Sequence, residues 1–252
     1  MTTPTPRPPS LHAPCAAVLI VGDEILTGKV TDANTPFAAS ALYARGIPMR
    51  KAVVCGDHPA TIASELRELA RAHTWVFTSG GIGVTHDDVT VQAVASAFDE
   101  PIVRSPEAHA VVTSHFGPDV TERQLRMADV PRGAELVYSP DSAWPTIRMR
   151  NVFVLPGIPS LFRRRLQFLL TTLEAGPMYH TREALLQCEE WEIADTLDEL
   201  VKAFPAVHIG SYPSTEPSAY RVKITFDGTD EGELQRAAST LQSAIESPKR
   251  AI

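Results

Sequence analysis

The run Thr78-Ser79-Gly80-Gly81-Ile82-Gly83-Val84-Thr85-His86-Asp87-Asp88-Val89-Thr90 holds the residue types that phosphate chemistry needs. Gly80, Gly81 and Gly83 let the backbone take positive φ and let a ligand approach with no Cβ in the way, while the first turn of a following helix offers free N–H groups to an anion. Asp87 and Asp88 bring the opposite charge to the same spot. Two carboxylates repel a phosphate unless a cation bridges them, so the combination points to a metal-assisted phosphate or pyrophosphate site with Asp87 and Asp88 as metal ligands. The competing reading makes Asp88 a helix cap and the glycines a plain turn.

A second acidic group lies upstream. Asp23 and Glu24 follow Gly22 directly, and Asp32 and Asn34 come after a short link containing Gly28 and Lys29. If these loops sit beside the glycine loop, Asp23, Glu24, Asp32, Asp87 and Asp88 form one acidic cluster suited to a hard divalent cation. Such a cation polarises a phosphoryl oxygen and acidifies a bound water, and a carboxylate outside the metal shell takes the proton. Glu24 is the choice of base, with Asp88 and Asp23 completing the catalytic set. Asp23 and Asp32 also suit ordinary turns and caps. His86 can contact a phosphate, ligate a metal or act as an acid, and equally can be a solvated loop histidine. The remaining histidines show no ligand spacing, which disfavours a zinc enzyme. Arg163-Arg164-Arg165 reads more readily as a solvated face, although cations in the first turn of a helix oppose its dipole and invite an anion. Neither Gly-x-Gly-x-x-Gly spacing nor a P-loop lysine is present.

These residues need elements to hold them. Ala16 to Val21 is a continuous small and branched apolar run, the pattern of a strand buried on both faces of a parallel sheet. A helix follows from Asn34 to Ala44, then a strand from Met49 to Val54, a helix from Pro59 to Ala72 and a strand from Trp75 to Phe77. Val89, Val91, Val94, Ala95 and Phe98 recur at helical spacing behind the glycine loop. Strands alternating with helices predict right-handed crossovers, a parallel sheet and ligands at the carboxyl ends of the strands. Helices are expected at Glu107 to Phe116 and Thr121 to Ala128, then a proline-rich connection near Pro131 and Pro140. Val152 to Leu155 resumes the buried-strand style and runs through Pro156-Gly157-Ile158-Pro159 into a helix carrying Leu161, Phe162, Leu166, Leu169, Leu170 and Leu173. A domain boundary is placed near Pro177, giving a flexible tail 1–14, an α/β domain 15–176 and a small α+β domain 177–252. Within the last, strands at Ala184 to Cys188, Val207 to Ser211 and Tyr220 to Phe226 and helices at Ala194 to Phe204 and Glu231 to Ser247 give the order βαββα, with an antiparallel hairpin around Pro213 to Pro217.

The chain has 252 residues, 44% of them hydrophobic, enough for one large or two smaller cores. Its 23 basic and 30 acidic residues give a net charge of -7, which argues against a general nucleic-acid or anionic-membrane surface. Cys15, Cys55 and Cys188 lack metal-type spacing and read as reduced thiols, so a cytoplasmic setting is expected. The start shows neither a signal peptide nor a transit peptide, and no apolar run is long enough to cross a bilayer.

Four separated motifs resemble the molybdopterin-binding (MoCF-type) domain in its CinA-like branch: Gly22-Asp23-Glu24-Ile25-Leu26, Asp32-x-Asn34, Gly80-Gly81-Ile82-Gly83-x-Thr85-x-Asp87-Asp88-x-Thr90 and Leu155-Pro156-Gly157-Ile158-Pro159. Thr85 to Thr90, Met127-Ala128 with Pro131 and Gly133 to Leu136, and Arg150 to Phe153 bring the chain nearest to the N-terminal region of eukaryotic FAD synthase. Ile209 to Pro213 and Tyr220 to Thr225 are similar to the small domain that follows there. The resemblance implies a three-layer α/β/α fold with the ligand at the glycine loop. Its binding set here is Gly22, Asp32, Asn34, Gly80, Gly81, Gly83, Thr85, His86, Thr90, Pro156 and Gly157. It further implies a homo-oligomer and cleavage of the pyrophosphate of FAD or ADP-ribose, with cobalt or magnesium and potassium as ions. Related proteins instead adenylylate molybdopterin or insert molybdate, so the alternatives to the hydrolase are a molybdopterin adenylyltransferase and a non-catalytic pterin- or nucleotide-binding protein. The adenylylating domain of FAD synthase does not fit within this length, so synthesis of FAD is not expected. Ser139-Pro140-Asp141-Ser142-Ala143-Trp144-Pro145 replaces the segment typical of CinA-like proteins at that point.

Overall fold

The computed structural model describes residues 14–214 and 219–246. Its elements in chain order are β1 (Ala16–Val21), α1 (Asp23–Leu26), α2 (Asn34–Tyr43), β2 (Met49–Cys55), α3 (Pro59–Ala72), β3 (Trp75–Ser79) and α4 (Thr90–Ala97). Then follow β4 (Ile102–Arg104), α5 (Pro106–Phe116), α6 (Glu122–Leu125), β5 (Asp129–Pro131), β6 (Glu135–Ser139), β7 (Ser142–Met149), β8 (Val152–Leu155) and α7 (Pro159–Thr172). Past Gly176 come β9 (His180–Leu186), α8 (Ala194–Ala203), β10 (His208–Pro213), β11 (Val222–Gly228) and α9 (Glu231–Glu246). The chain divides into two compact units, residues 1–176 and 177–252. No described helix is long and apolar enough to cross a membrane.

The first unit is built on one sheet with strand order β2-β1-β3-β8-β7-β6. β1 is buried along its whole length, and because successive side chains point to opposite faces it feeds two cores at once. Ala17, Leu19 and Val21 pack with Ile62, Leu66 and Leu69 of α3 and Ala93 and Val94 of α4. Ala16, Val18 and Ile20 pack with Ala38 and Leu42 of α2 and Phe162, Leu166 and Leu169 of α7. Helices on both faces of the sheet make the three-layer α/β/α arrangement. Phe77 of β3 and Phe153 of β8 stack across the ladder with centroids 5.4 Å apart.

The sheet is mixed, which corrects the expectation of a parallel one. β2, β1, β3 and β8 run parallel. β7 is antiparallel to β8 and β6 to β7. The connections are too short for a crossover, and a two-residue turn, with Arg150 at φ 53°, can only reverse the chain. The segment near Pro140, expected as a proline-rich connection, is the turn between β6 and β7. Pro145 is accommodated inside β7 where the pairing with β6 shifts register between Val137 and Ser139. The helix expected from Thr121 to Ala128 is a single α turn, α6, followed by a tighter turn at Arg126–Ala128.

The second unit has the βαββα order, with sheet order β10-β11-β9 and both ladders antiparallel. Val222, Ile224 and Phe226 of β11 meet Leu200 of α8 and Leu234, Ala237 and Leu241 of α9 in one core. Residues 215–218 of the expected hairpin, most of the tail (1–13) and Ser247 at the end of the last helix lie outside the described residues.

Candidate active site

Neighbouring parallel strands β1, β3 and β8 end at the same level, with Ile20 opposite Ser79 and Ser79 opposite Leu155. The loops that leave them are Gly22-Asp23-Glu24, Gly80-Gly81 and Pro156-Gly157, so the topology brings these motifs together at the carboxyl edge.

The glycine loop is held by its own chemistry. Gly80 (φ 104°) lies against the carbonyl of Val21, where a Cβ would collide. Gly81 (φ 65°) leaves no room for a Cβ beside the Thr90 hydroxyl. That hydroxyl, fully buried, donates to the Gly80 carbonyl at 2.8 Å, and the Thr90 N–H donates to the Gly81 carbonyl at 3.0 Å. Thr90 is therefore a brace beneath the loop. Gly157 stacks on Gly80, its position admitting a Cβ only 3.3 Å from the Gly80 Cα. Asp88 closes the outer turn: Oδ1 accepts from the Gly83 N–H at 2.6 Å, and Oδ2 accepts from the Thr85 N–H at 2.8 Å and hydroxyl at 2.5 Å. It does not cap α4, whose N-cap, Val89, lacks a side-chain bond. Among the described residues, the N–H groups of Gly81, Ile82 and Val84 engage no acceptor. Gly81 and Ile82 carry two such donors side by side and Val84 a third, beyond the Gly83 N–H that Asp88 engages, and free backbone donors on a glycine-rich turn are what an anion needs.

A cavity of about 640 Å³ opens on this loop. Its polar end is formed by Glu24, Gly80, Gly81, Gly83, Thr85, Asp88, Pro156 and Gly157 of the expected site, with Val91 and Gln92 from the first turn of α4. Glu24 folds its carboxylate back over Gly22, within 2.5 Å of where a Cβ would stand. The other expected residues lie elsewhere. Asp23 leans over Gly56 at the end of β2, and its N–H donates to Asp57 at 3.0 Å. Asp32 Oδ1 accepts from the N–H groups of Asn34 and Thr35 at 2.9 and 3.1 Å, which is start-of-helix capping. Asn34 is buried and positions others: its Nδ2 donates to Ser79 Oγ at 2.9 Å and to the Gly157 carbonyl at 2.8 Å. His86 is 98% exposed and points to solvent, 3.8 Å from the Asp87 carboxylate. Gly22, Asp87 and Thr90 do not line the cavity either.

The expected acidic cluster does not form. Among the described residues no group of three or more His, Cys, Asp or Glu side chains stands in a metal-holding arrangement. Asp88, expected as a metal ligand, has both carboxylate oxygens taken by three hydrogen-bond donors, Asp32 accepts from two backbone N–H groups, and Asp23 lies over Gly56, away from the cavity. These residues do not fit a resident metal ion.

The cavity's other half was not foreseen. Met127, Val130, Leu136, Trp144, Ile147 and Leu161 make an apolar wall, bordered by the guanidinium groups of Arg126, Arg164 and Arg165. The arginine run is not a uniform solvated face. Arg163 lies over the Phe37 ring, Arg164 stands 3.8 Å from Asp141, and Arg165 donates to the Pro145 carbonyl at 2.8 Å and Thr146 Oγ1 at 3.2 Å. Burial pushes the Arg165 pKa down from its ordinary value, against the opposing pull of Asp141. The residue ties α7 to β7. The Trp-Pro pair in a polar segment was the signal available for this wall.

Residues 17–175 match the family model described as "Probable molybdopterin binding domain". The chain belongs to the molybdopterin-binding domain family. Past that domain, residues 178–250 match the model of the middle domain of FAD synthase. A protein of Archaeoglobus fulgidus is 31% identical over 228 residues, 90% of this chain and 96% of its own length. A "Probable FAD synthase" of Caenorhabditis elegans is 31% identical over 94% of this chain but 50% of its own length, so the chain spans about half of that relative. The molybdopterin-binding-type domain also superposes on the crystal structure of CinA from Thermoplasma acidophilum, with a TM-score of 0.59 and 28% identity over 64% of this chain and 98% of that one.

Proposed function

We propose that the chain binds the pyrophosphate of a nucleotide diphosphate, such as FAD or an ADP-ribose-type compound, on the Gly80 to Val84 loop and hydrolyses it to two monophosphates. The observation that carries this reading is the set of unengaged N–H groups at Gly81, Ile82 and Val84, residues that line a cavity beside the first turn of α4. Donors fixed in place before the ligand arrives stabilise the charge that builds on the phosphoryl oxygens. Of the carboxylates that line the cavity, Asp88 is tied into the glycine loop and Asp129 into an ion pair with Arg104, which leaves Glu24. A water attacks one phosphorus, its proton passes to Glu24, and the bridging P–O bond breaks with its electron pair leaving on the second phosphate. Magnesium or cobalt enters as part of the substrate, a cation–diphosphate complex, since small hard cations are commonly held by phosphates with one or two carboxylates.

A second reading, binding of a nucleotide or pterin phosphate without turnover, draws on Asp88, whose oxygens serve the loop rather than a cation. Calorimetry with a methylene-bridged ADP-ribose analogue, run beside a chromatographic assay for AMP from ADP-ribose and FAD, separates the two. Binding with AMP release supports the hydrolase. Binding without release favours the second reading, and absence of both defeats the loop as a pyrophosphate site.

A further inference from the structure

The geometry points to Trp144 as the residue that selects ligands carrying a fused heteroaromatic ring, an inference that rests on the pyrophosphate reading of the glycine loop. The cavity that begins at Gly80 and Gly81 continues past the phosphate end into the wall of Trp144, Met127, Val130, Leu136 and Ile147. Its volume of about 640 Å³ lies within the range of pockets for whole small molecules, roughly 300 to 1,000 Å³. A phosphorylated sugar alone leaves this wall against water and gains nothing from it. A planar ring linked to the phosphate end removes that apolar surface from solvent and meets the indole.

Trp144 is held before any ligand arrives. Its backbone N–H donates to Ser142 Oγ at 3.2 Å, and the Ser142 hydroxyl returns a bond to the Trp144 carbonyl at 3.3 Å. Arg165 grips the next carbonyl, that of Pro145. The indole packs edge to face with His115, at 5.2 Å and 70°, and with Phe116 at 6.4 Å and 68°. A wall fixed by neighbours on α5 and by α7 costs little ordering when a ring stacks on it, which is how preorganisation raises affinity. Met127 adds a polarizable, adaptable thioether to the same wall. Selectivity for a ring over no ring follows from this wall, while the glycine loop reads only phosphate.

The experiment compares phosphates that differ by the ring. Calorimetric titrations of ribose 5-phosphate, AMP, FMN and inorganic pyrophosphate with magnesium are run on the full chain and on Trp144→Leu and Trp144→Phe, each first checked by thermal melting. Leucine fills space without a π face, and phenylalanine keeps one. We expect AMP or FMN to bind the unaltered chain about tenfold more tightly than ribose 5-phosphate, as a single stacked base contributes. Trp144→Leu should erase that gap while leaving ribose 5-phosphate and pyrophosphate within twofold, and Trp144→Phe should keep most of it. An unaltered chain that binds pyrophosphate but shows no gap overturns the role of Trp144 alone, as does a gap that survives in Trp144→Leu. A chain that binds none of the four overturns the pyrophosphate reading and this inference with it.

Discussion

The side-chain amide of Asn34 donates to the carbonyl of Gly157, 123 residues away in sequence, at 2.8 Å. Through the same nitrogen it holds Ser79 Oγ at 2.9 Å, so one buried residue joins the start of α2, the end of β3 and the loop after β8. Gly157 in turn backs Gly80, which makes Asn34 a positioning residue for the glycine loop without touching the cavity.

Replacing it tests that relationship. Asn34→Ala leaves two acceptors without their donor in a buried place, which costs about 1–3 kcal/mol. A lower thermal midpoint together with weaker pyrophosphate binding is expected. A loss of stability with binding unchanged contradicts the positioning role.

Two glycines separate strain from collision. Gly28 (φ 71°) and Gly81 (φ 65°) both occupy the left-handed region, but a Cβ on Gly28 meets nothing within 4 Å whereas one on Gly81 strikes the Thr90 hydroxyl. Gly28→Ala should cost only the left-handed penalty, roughly 1–2 kcal/mol, and spare pyrophosphate binding. Gly81→Ala should cost more and abolish binding, because the brace to the Gly80 carbonyl is displaced. Paired thermal melts and pyrophosphate titrations read both terms.

Asp88→Asn distinguishes a loop brace from a metal ligand. The amide supplies one acceptor where the carboxylate serves donors with both oxygens, so the turn from Gly83 to Thr85 loosens. A fall in kcat/KM of roughly 10- to 100-fold is expected, the scale of losing about 1.4–2.7 kcal/mol of positioning. Raising the magnesium concentration should not restore it. Recovery at high metal would assign Asp88 to the cation instead.

Cys55 provides a pH readout of the core beside the site. Burial first, with the negative charges of Glu65 and Asp57, pushes its thiol from 9.0 up to about 11. The native state therefore keeps the proton that the unfolded chain releases near pH 9, and the stability this confers is complete below about pH 9 and lost as pH rises to about 11. Thermal midpoints of the unaltered chain should fall more steeply across that window than those of Cys55→Ala. Parallel curves contradict the shift.

Much of the scaffold is legible in the residues. Ala16 to Val21, Pro59 to Ala72 and Val152 to Leu155 match their elements to the residue, because unbroken apolar runs and strong helical spacing leave little choice. Ser142–Met149 was hidden because its alternation is broken by Pro145 and because Trp144 faces the cavity instead of the sheet's two main cores. At the site, adjacency of strand ends predicted that Glu24, Gly80 and Gly157 would meet. The acidic cluster did not assemble because Asp32 and Asp88 found closer partners in nearby N–H groups, a local competition that spacing alone does not reveal.

The most direct measurement is the reaction itself. The full chain is incubated with FAD and with ADP-ribose, with magnesium or cobalt, in water enriched in oxygen-18, and the products are read by mass spectrometry. The account predicts AMP together with FMN or ribose 5-phosphate, with one heavy oxygen in one product of each pair, and the loss of both reactions in Glu24→Gln. Intact substrates under both cations would contradict it.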